Sequence, residues 1–341
     1  MKISRLLAAA VASLTIAAVG CSSGSDDSTS GTTDDHLGES AAPLARFAPY
    51  MTSLKSSFAG ADNEAIANSL LASGRPAAFS LQALGRVYSD ADPKFKTFRD
   101  DFKGLEDGIG NYDKWATIYN TAVSEHKDQA TLDRLKAQKD DALTAFTKLL
   151  TDKKWLAPAG EQSLLDQWQV FLNGFAWLPR NEDRKLVLKQ MSKELGDIHD
   201  TAYDMKILEV GNGIHELRRD IRWVLIEELG LNGMVLAKEG ACPIPAYSAT
   251  QSDGRYGALH ASQLEPNPCQ VDACLIYQAA KTVNDLGELK DQAEQEVNIN
   301  GDADVVPERL QPAAQAIYDG IKQNDLIGKY QAQLKACRDA L

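Results

Sequence analysis

The chain has 341 residues, with 36 Lys and Arg against 48 Asp and Glu, and its formal net charge at pH 7 is −12. Such an acidic chain repels phosphate backbones and anionic lipid headgroups, which argues against binding to nucleic acid or to a charged membrane surface. About 300 residues follow the N-terminal region, more than one simple helical bundle holds, so two packed units are expected.

The N-terminal residues have the three-part layout of a secretory signal. Lys2 and Arg5 give a positive start, Leu6–Ala18 is a mostly apolar run, and small residues precede Cys21. The apolar run is too short to span a bilayer as a permanent helix. We therefore predict a signal peptide over residues 1–20. Its removal changes the formal charge from −12 to −14, because it carries two cations and no acid.

The small residues before Cys21 resemble a bacterial lipobox, in which the cysteine is acylated and becomes the mature N-terminus. Ala18 stands where Leu is commoner, and the alternative is an ordinary cleaved signal with an incidental cysteine. Residues 21–40 are rich in Ser, Thr, Gly and Asp and predict a flexible tether. We therefore predict that Cys21 carries a palmitate-type lipid, which anchors the protein to a membrane of the bacterial cell envelope. Because Ser22 is not the Asp expected for inner-membrane retention, we expect the outer membrane, facing the periplasm or the cell surface.

Apolar residues recur at helical spacing from Ala41 onward, with hardly a credible strand, and predict an all-α fold. The two clearest periods are Phe95, Phe98, Phe102, Leu105 and Ile109, and then Ile214, Leu217, Ile221, Val224 and Leu225. Further helices are predicted over Leu135–Leu150, Ser163–Trp177, Arg184–Leu195, Leu275–Val297 and Pro312–Leu341. We assign these apolar stripes to the core and give them no chemical role.

The predicted helices divide at Pro179–Asp183, which gives a first half over residues 41–180 and a second half over 181–341. Lys238–Asp272 interrupts the second half, since it contains four prolines, several glycines and two cysteines. This composition predicts a long irregular insertion held by disulfides rather than a helix.

Apart from Cys21, the chain has four cysteines: Cys242, Cys269, Cys274 and Cys337. An even number in an oxidising compartment predicts two disulfides, for which three pairings are possible. We favour Cys242 with Cys269 and Cys274 with Cys337, because Cys274 and Cys337 both lie in helical patterns. Structural zinc is the alternative, but the spacing of Cys269 and Cys274 lacks the paired close spacings of such a site. No metal site is predicted.

The segment from Ile214 to Val224 reads IHELRRDIRWV. It resembles the signature helix of the CHAD family, the conserved histidine α-helical domain, in which His-x-Leu-Arg is followed by Arg or Lys at four-residue intervals. Val283–Asp291 is similar to the following helix of that family, which carries a Leu-Gly turn and then an Asp. Trp223 and Leu225 depart from the pattern, because further basic residues are typical there.

The family is a tandem duplication, and a weaker first copy places Arg75 opposite Arg218 and Ile109–Asp113 opposite the Leu-Gly-to-Asp element. Arg75 and Asp113 are 38 residues apart, whereas Arg218 and Asp291 are 73 apart. The excess of 35 equals the length of the predicted insertion. The first copy has lost most basic residues, with Phe79 in the place of one of them. The resemblance implies two four-helix units about a pseudo-twofold axis.

Members of the family are associated with binding polyphosphate or similar anions in a basic channel between the two halves. The resemblance therefore implies an anion-binding protein, and we predict no enzymatic activity and no cofactor. Its candidate anion-binding residues are His215, Arg218, Arg219, Arg222 and Arg75. Guanidinium groups suit this chemistry, because they present several fixed N–H donors to phosphate oxygens. The sequence contains no Gly-x-Ser-x-Gly elbow, His-Glu-x-x-His helix or Gly-rich phosphate loop that would indicate catalysis.

Two other interpretations stay open or are excluded at this point. One alternative is that Arg218 and Arg222 pair with carboxylates. The protein would then be a structural or protein-interaction scaffold that binds another envelope protein and has lost anion binding. Gly213-Ile214-His215 is also similar to the Gly-x-His-x-x-Glu metal motif of helical imelysin lipoproteins. That motif needs a carboxylate at position 218, and the arginine there would repel a metal ion, so we exclude it.

Overall fold

A computed structural model describes residues 35–341 except Ala61, Ala159, Tyr203, Asn232 and the segments 239–267 and 301–304. The predicted signal peptide, Cys21 and most of the predicted tether lie outside the described residues. The first helix begins at Asp35, so the last six residues of the predicted tether, 35–40, are helical. No helix in the described part of the chain has the length and apolar character needed to cross a bilayer.

Among the described residues up to Gly174 are six α-helices and one π-helical turn that leads into α3. They are α1 (Asp35–Ser57), α2 (Asn63–Ser69), the turn π1 (Leu70–Gly74), α3 (Arg75–Val87), α4 (Lys94–Ser124), α5 (Gln129–Asp152) and α6 (Leu164–Gly174). Side-chain caps explain three of the starts. Asp62 accepts from the main-chain N–H of Ala65 before α2, Asp128 from that of Thr131 before α5, and Ser163 from that of Asp166 before α6.

The second half repeats this order in part, again with a π-helical turn before a central helix. Its elements are α7 (Arg180–Ala202), the turn π2 (Val210–His215), α8 (Glu216–Gly230), β1 (Val235–Lys238), β2 (Cys269–Asp272), α9 (Ala273–Asn300), α10 (Gln311–Asn324) and α11 (Leu326–Asp339). The predicted all-α fold is confirmed. Every member of the two clearest sequence periods is buried in the core.

One apolar core runs through both predicted halves. In the first half α3 packs on α4, in the second α8 packs on α9, and α3 and α8 contact each other between them. The predicted seam at Pro179–Asp183 is also crossed by a buried ion pair, in which Arg46 Nη1 lies 2.7 Å from Asp183 Oδ2. The two halves are therefore packed as one body around the contact of α3 with α8.

A short parallel ladder includes both end residues of the predicted insertion, so the expectation of an irregular segment from Lys238 to Asp272 was wrong at Lys238 and over Cys269–Asp272. β1 pairs with β2 from Val235 opposite Cys269 to Lys238 opposite Asp272. Residues 269–272 alternate buried and exposed, as expected for a strand with one face on the core. Four residues are too few for this alternation to be recognised beside prolines. Residues 239–267 lie outside the described part.

The preferred disulfide pairing was also wrong. Cys269 is bonded to Cys337, with the two Cα atoms 5.5 Å apart. The reason is tertiary, because α11 packs on β2 and brings two cysteines separated by 68 residues together. Cys274 is disulfide-bonded as well, and Cys242 lies outside the described residues.

The C-terminal region forms two helices where the sequence predicted one over Pro312–Leu341. Asp325 separates them with φ = 46°, in the left-handed region. A residue in this conformation interrupts the right-handed helix, and Asp adopts it more readily than most residues. The apolar period continues through the break, which is why the pattern alone predicted one helix.

Candidate anion-binding cleft

A cleft of about 910 Å³ lies where α1, π1, α3 and α4 of the first half meet α8 and α9 of the second. Its cationic lining residues are Arg75, Lys114, Arg218, Arg222 and Lys290, and its carboxylates are Asp113, Asp291 and Glu294. Five cations against three acids give the lining a positive excess in a protein of net charge −12. The cleft is therefore a local exception to the charge of the chain.

Arg218 lies in the first turn of α8 and extends across α9. Its Nε donates a hydrogen bond to the main-chain oxygen of Val283, at 3.3 Å. A Cβ atom at Gly287 would lie only 2.9 Å from this Nε, so the close approach depends on the absence of a side chain there. In the described part of the chain no carboxylate lies within ion-pair distance of the Arg218 guanidinium. The guanidinium is thus held at the cleft by the hydrogen bond of its Nε to α9 rather than by an acid.

Arg75 has the corresponding position in the first half, but its charge is neutralised. A Cβ at Gly110 would lie 2.9 Å from Arg75 Nη2, which repeats the contact of Arg218 with Gly287. However, Arg75 Nη1 lies 2.6 Å from Asp113 Oδ2, and Arg75 Nη2 lies 3.0 Å from Glu106 Oε1. Two carboxylates on one guanidinium leave little attraction for an external anion.

Phe79 lies between guanidinium groups from opposite halves. The Arg222 guanidinium carbon is 4.4 Å from the centre of the Phe79 ring, and that of Arg75 is 5.7 Å from it. The ring also packs edge-on against Trp223, with the ring centres 5.8 Å apart. An aromatic face attracts a cation electrostatically. Phe79 therefore fixes Arg222 at the wall of the cleft.

Lys114 and Lys290 share one carboxylate across the two halves. Their Nζ atoms lie 2.9 and 2.7 Å from the oxygens of Glu294. Burial would raise the pKa of Glu294, but Lys290 and Lys114 outweigh that effect, and the pKa lies below its ordinary value. Glu294 is therefore ionised, and it holds both lysines in place. Because Asp291 Oδ1 also lies 3.3 Å from Lys290 Nζ, two carboxylates offset the charges of the two lysines.

His215 and Arg219 do not belong to the residues that line the cleft. His215 is half-buried, and burial together with Lys290, Arg219, Arg222 and Arg218 lowers its pKa to about 4. The imidazole is thus neutral at physiological pH and adds no charge. Arg219 pairs with Glu216 on its own helix. Of the five residues predicted from the sequence, the structure brings Arg75, Arg218 and Arg222 to the cleft.

Sequence reasoning missed the two lysines and the aromatic ring. It included Gly287 and Gly110 in the Leu-Gly elements but did not predict that they make room for the arginines. Lys290 follows Gly287 by three residues, and Lys114 follows Gly110 by four. The sequence signal for these lysines is a Gly followed one helical turn later by a Lys. This spacing places the Lys on the same helix face as the Gly against which the arginine packs. Phe79 was noted only as a lost basic residue, because its contact with Arg222 depends on how α3 and α8 pack.

Comparison of the chain with protein-family models, with curated proteins and with solved structures gave no match. The resemblance to the CHAD family therefore stays a prediction, which depends on the residues from His215 to Arg222 and on the Leu-Gly elements. The geometry of the cleft stands independently of that resemblance. In the described residues no group of three His, Cys, Asp or Glu side chains is arranged to hold a metal ion.

Proposed function

We propose that this protein is a non-enzymatic binding module whose cleft holds polyphosphate or another anion. The observation that carries the proposal is the convergence of Arg218 and Arg222 with Lys114 and Lys290, from opposite halves, on one open cleft. Phosphate oxygens need several fixed N–H donors and net positive charge. The backbone contact of Arg218 and the ring contact of Arg222 keep both guanidinium groups oriented before a ligand arrives.

We further propose that the module is a divergent CHAD-like lipoprotein, anchored through a lipid on Cys21 to the bacterial outer membrane. The layout of residues 1–20 and the small residues before Cys21 support this location. A tethered module of this kind would hold its anion close to the membrane without binding the anionic lipid headgroups themselves.

Isothermal titration of the mature protein with medium-chain polyphosphate tests the anion proposal. At low salt we expect heat of binding, and affinity should fall as salt rises, because phosphate contacts release counterions. An Arg218→Ala, Arg222→Ala double variant is expected to bind at least about 100-fold more weakly, since two charge-assisted contacts are lost. The matched control is Lys185→Ala with Lys189→Ala, which removes the same charge from exposed positions of α7. No heat at low salt, or equal weakening in both double variants, would contradict the proposal.

Gly287→Ala tests whether the position of Arg218 matters in addition to its charge. The new methyl group meets Arg218 Nε and Nη2 at 2.9 and 3.2 Å, so the guanidinium must move away from α9. We expect polyphosphate affinity to fall about tenfold, the effect of one misplaced charge-assisted hydrogen bond. Gly320→Ala, on α10, is the control, because a Cβ atom at this position would have no neighbouring atom within 4 Å. Unchanged affinity in a folded Gly287→Ala variant would show that the fixed geometry of Arg218 is dispensable.

A structural or protein-interaction scaffold is the second candidate function. It is favoured by the neutralised Arg75 and by the ion pair of Arg219 with Glu216, since both were candidate ligands and both are occupied. The two candidates differ in the titration above, because a scaffold that has lost anion binding gives no heat with polyphosphate at any salt concentration.

A further inference from the structure

One face of α8 changes from cationic to apolar along the cleft. Arg218, Arg222, Ile226 and Leu229 all line it, at spacings of four, four and three residues that place them on one side of the helix. Eleven residues of helix span about 16 Å at 1.5 Å per residue. The lining of α8 thus begins with two guanidinium groups and ends with two aliphatic side chains.

The first half continues this polarity on the facing walls. Tyr50 and Pro49 of α1 line the apolar end, where the Tyr50 hydroxyl donates to the main-chain oxygen of Leu229 at 3.2 Å. Leu71 and Ala72 of π1 are also part of the lining. Lys114 and Lys290 line the cleft on α4 and α9 and meet at Glu294. The Phe79 ring, in contact with Arg222, lies between the two kinds of surface.

An inorganic polyanion would use only part of such a cleft. Beyond Arg222 the lining of α8 carries no cation, and the hydroxyl donors on the facing walls, Ser53, Ser73 and Ser80, are uncharged. Concave, largely apolar surface with a few convergent charges is typical of sites for organic ligands. We propose that the cleft binds a single-chain organic anion, with its charged head at Arg218 and Arg222 and its aliphatic body along Phe79, Ile226 and Leu229. This inference rests on the proposed function, because the same cationic end binds the charged head.

The chemistry of the cleft favours a small charge on the ligand. Asp113, Asp291 and Glu294 also line it, and Glu294 already offsets part of the lysine charge. A long chain of phosphates would place further negative charge beside these carboxylates. A ligand with one anionic head and an uncharged body avoids that repulsion and removes the apolar lining from water.

Titration of the mature protein with octyl phosphate, methyl phosphate and octyl glucoside tests the inference. Octyl phosphate is expected to bind about 50-fold more tightly than methyl phosphate, as expected if about three methylene groups leave water. Octyl glucoside, which has the same chain and no charge, should give no measurable binding. Equal affinities for the two phosphates, or equal binding of octyl glucoside, would overturn the inference.

Two variants locate the aliphatic body within the cleft. Two substitutions are made separately: Leu229→Gln, and Ala72→Glu at an exposed lining position. Each should reduce the preference for octyl over methyl phosphate at least fivefold. Leu208→Gln is the control, since Leu208 is exposed and lies outside the cleft. An unchanged preference in both cleft variants would overturn the inference.

The failure of this inference differs from a failure of the proposed function. Polyphosphate that binds through Arg218 and Arg222, together with equal affinities for octyl and methyl phosphate, overturns only the organic ligand. Absence of heat with polyphosphate and with both phosphate esters overturns the anion site itself. Binding of octyl phosphate that is lost in the Arg218→Ala, Arg222→Ala variant supports both.

Discussion

Asp183→Ala is expected to lower the free energy of unfolding by about 3–5 kcal/mol, the usual loss when one partner of a buried ion pair is removed. Asp183 Oδ2 lies 2.7 Å from Arg46 Nη1, and both side chains are only 1% exposed. The Tyr88 hydroxyl donates to Asp183 Oδ1 at 2.8 Å. The substitution therefore leaves a guanidinium in the core without this carboxylate, and it also removes the acceptor of a buried hydroxyl.

This network joins α1, the end of α3 and α7, so its loss affects the contact between the two halves. Burial, and the proximity of Asp183, raise the pKa of Tyr88 well above its ordinary value. The phenol therefore keeps its proton and acts as a donor. Urea unfolding followed by tryptophan fluorescence measures the change. The control is Asp140→Ala, which breaks an exposed pair with Lys136 on α5 and should cost about 0.5 kcal/mol or less. Similar losses in the two variants would contradict a structural role for the buried network.

The helices were predictable because their signal is local. Phe95, Phe98 and Phe102 lie one turn apart, and the period that places them on one face of α4 also buries them. The residue at which a helix ends is less predictable. Asp325 breaks the C-terminal helix through its backbone conformation, which leaves the apolar period intact on both sides.

The charge of the site was less predictable, because it depends on contacts between helices. Arg75 and Arg218 look equivalent in the sequence, and both pack against a glycine of the next long helix. Their environments differ because α4 carries Glu106 and Asp113 within reach of Arg75, whereas Arg218 contacts a main-chain oxygen of α9. The pairing of Cys269 with Cys337 was hard to predict for the same reason, since only the packing of α11 on β2 selects it.

Glu228→Gln is expected to remove part of the pH dependence of folding. Glu228 is 1% exposed, and neither of its carboxylate oxygens has a hydrogen-bond partner in the described part of the chain. Burial raises its pKa well above the ordinary value, so the folded protein keeps a proton that the unfolded chain releases above about pH 4.3. The stability that this group contributes is complete below that pH. It is lost as the pH rises toward the folded pKa, at about 1.4 kcal/mol per pH unit.

Unfolding free energies measured from pH 5 to pH 8 test this expectation, because the glutamine cannot titrate. The difference between the variant and the parent protein should grow in favour of the variant as the pH rises. Glu228 is the better choice than its neighbour Glu227, since Arg86 and Glu194 also act on the pKa of Glu227 and would mix several titrations. Glu288→Gln, at an exposed position of α9, controls for the change of net charge and should run parallel to the parent. Parallel curves for Glu228→Gln as well would mean that Glu228 is ionised in the folded protein, with its charge compensated in the core.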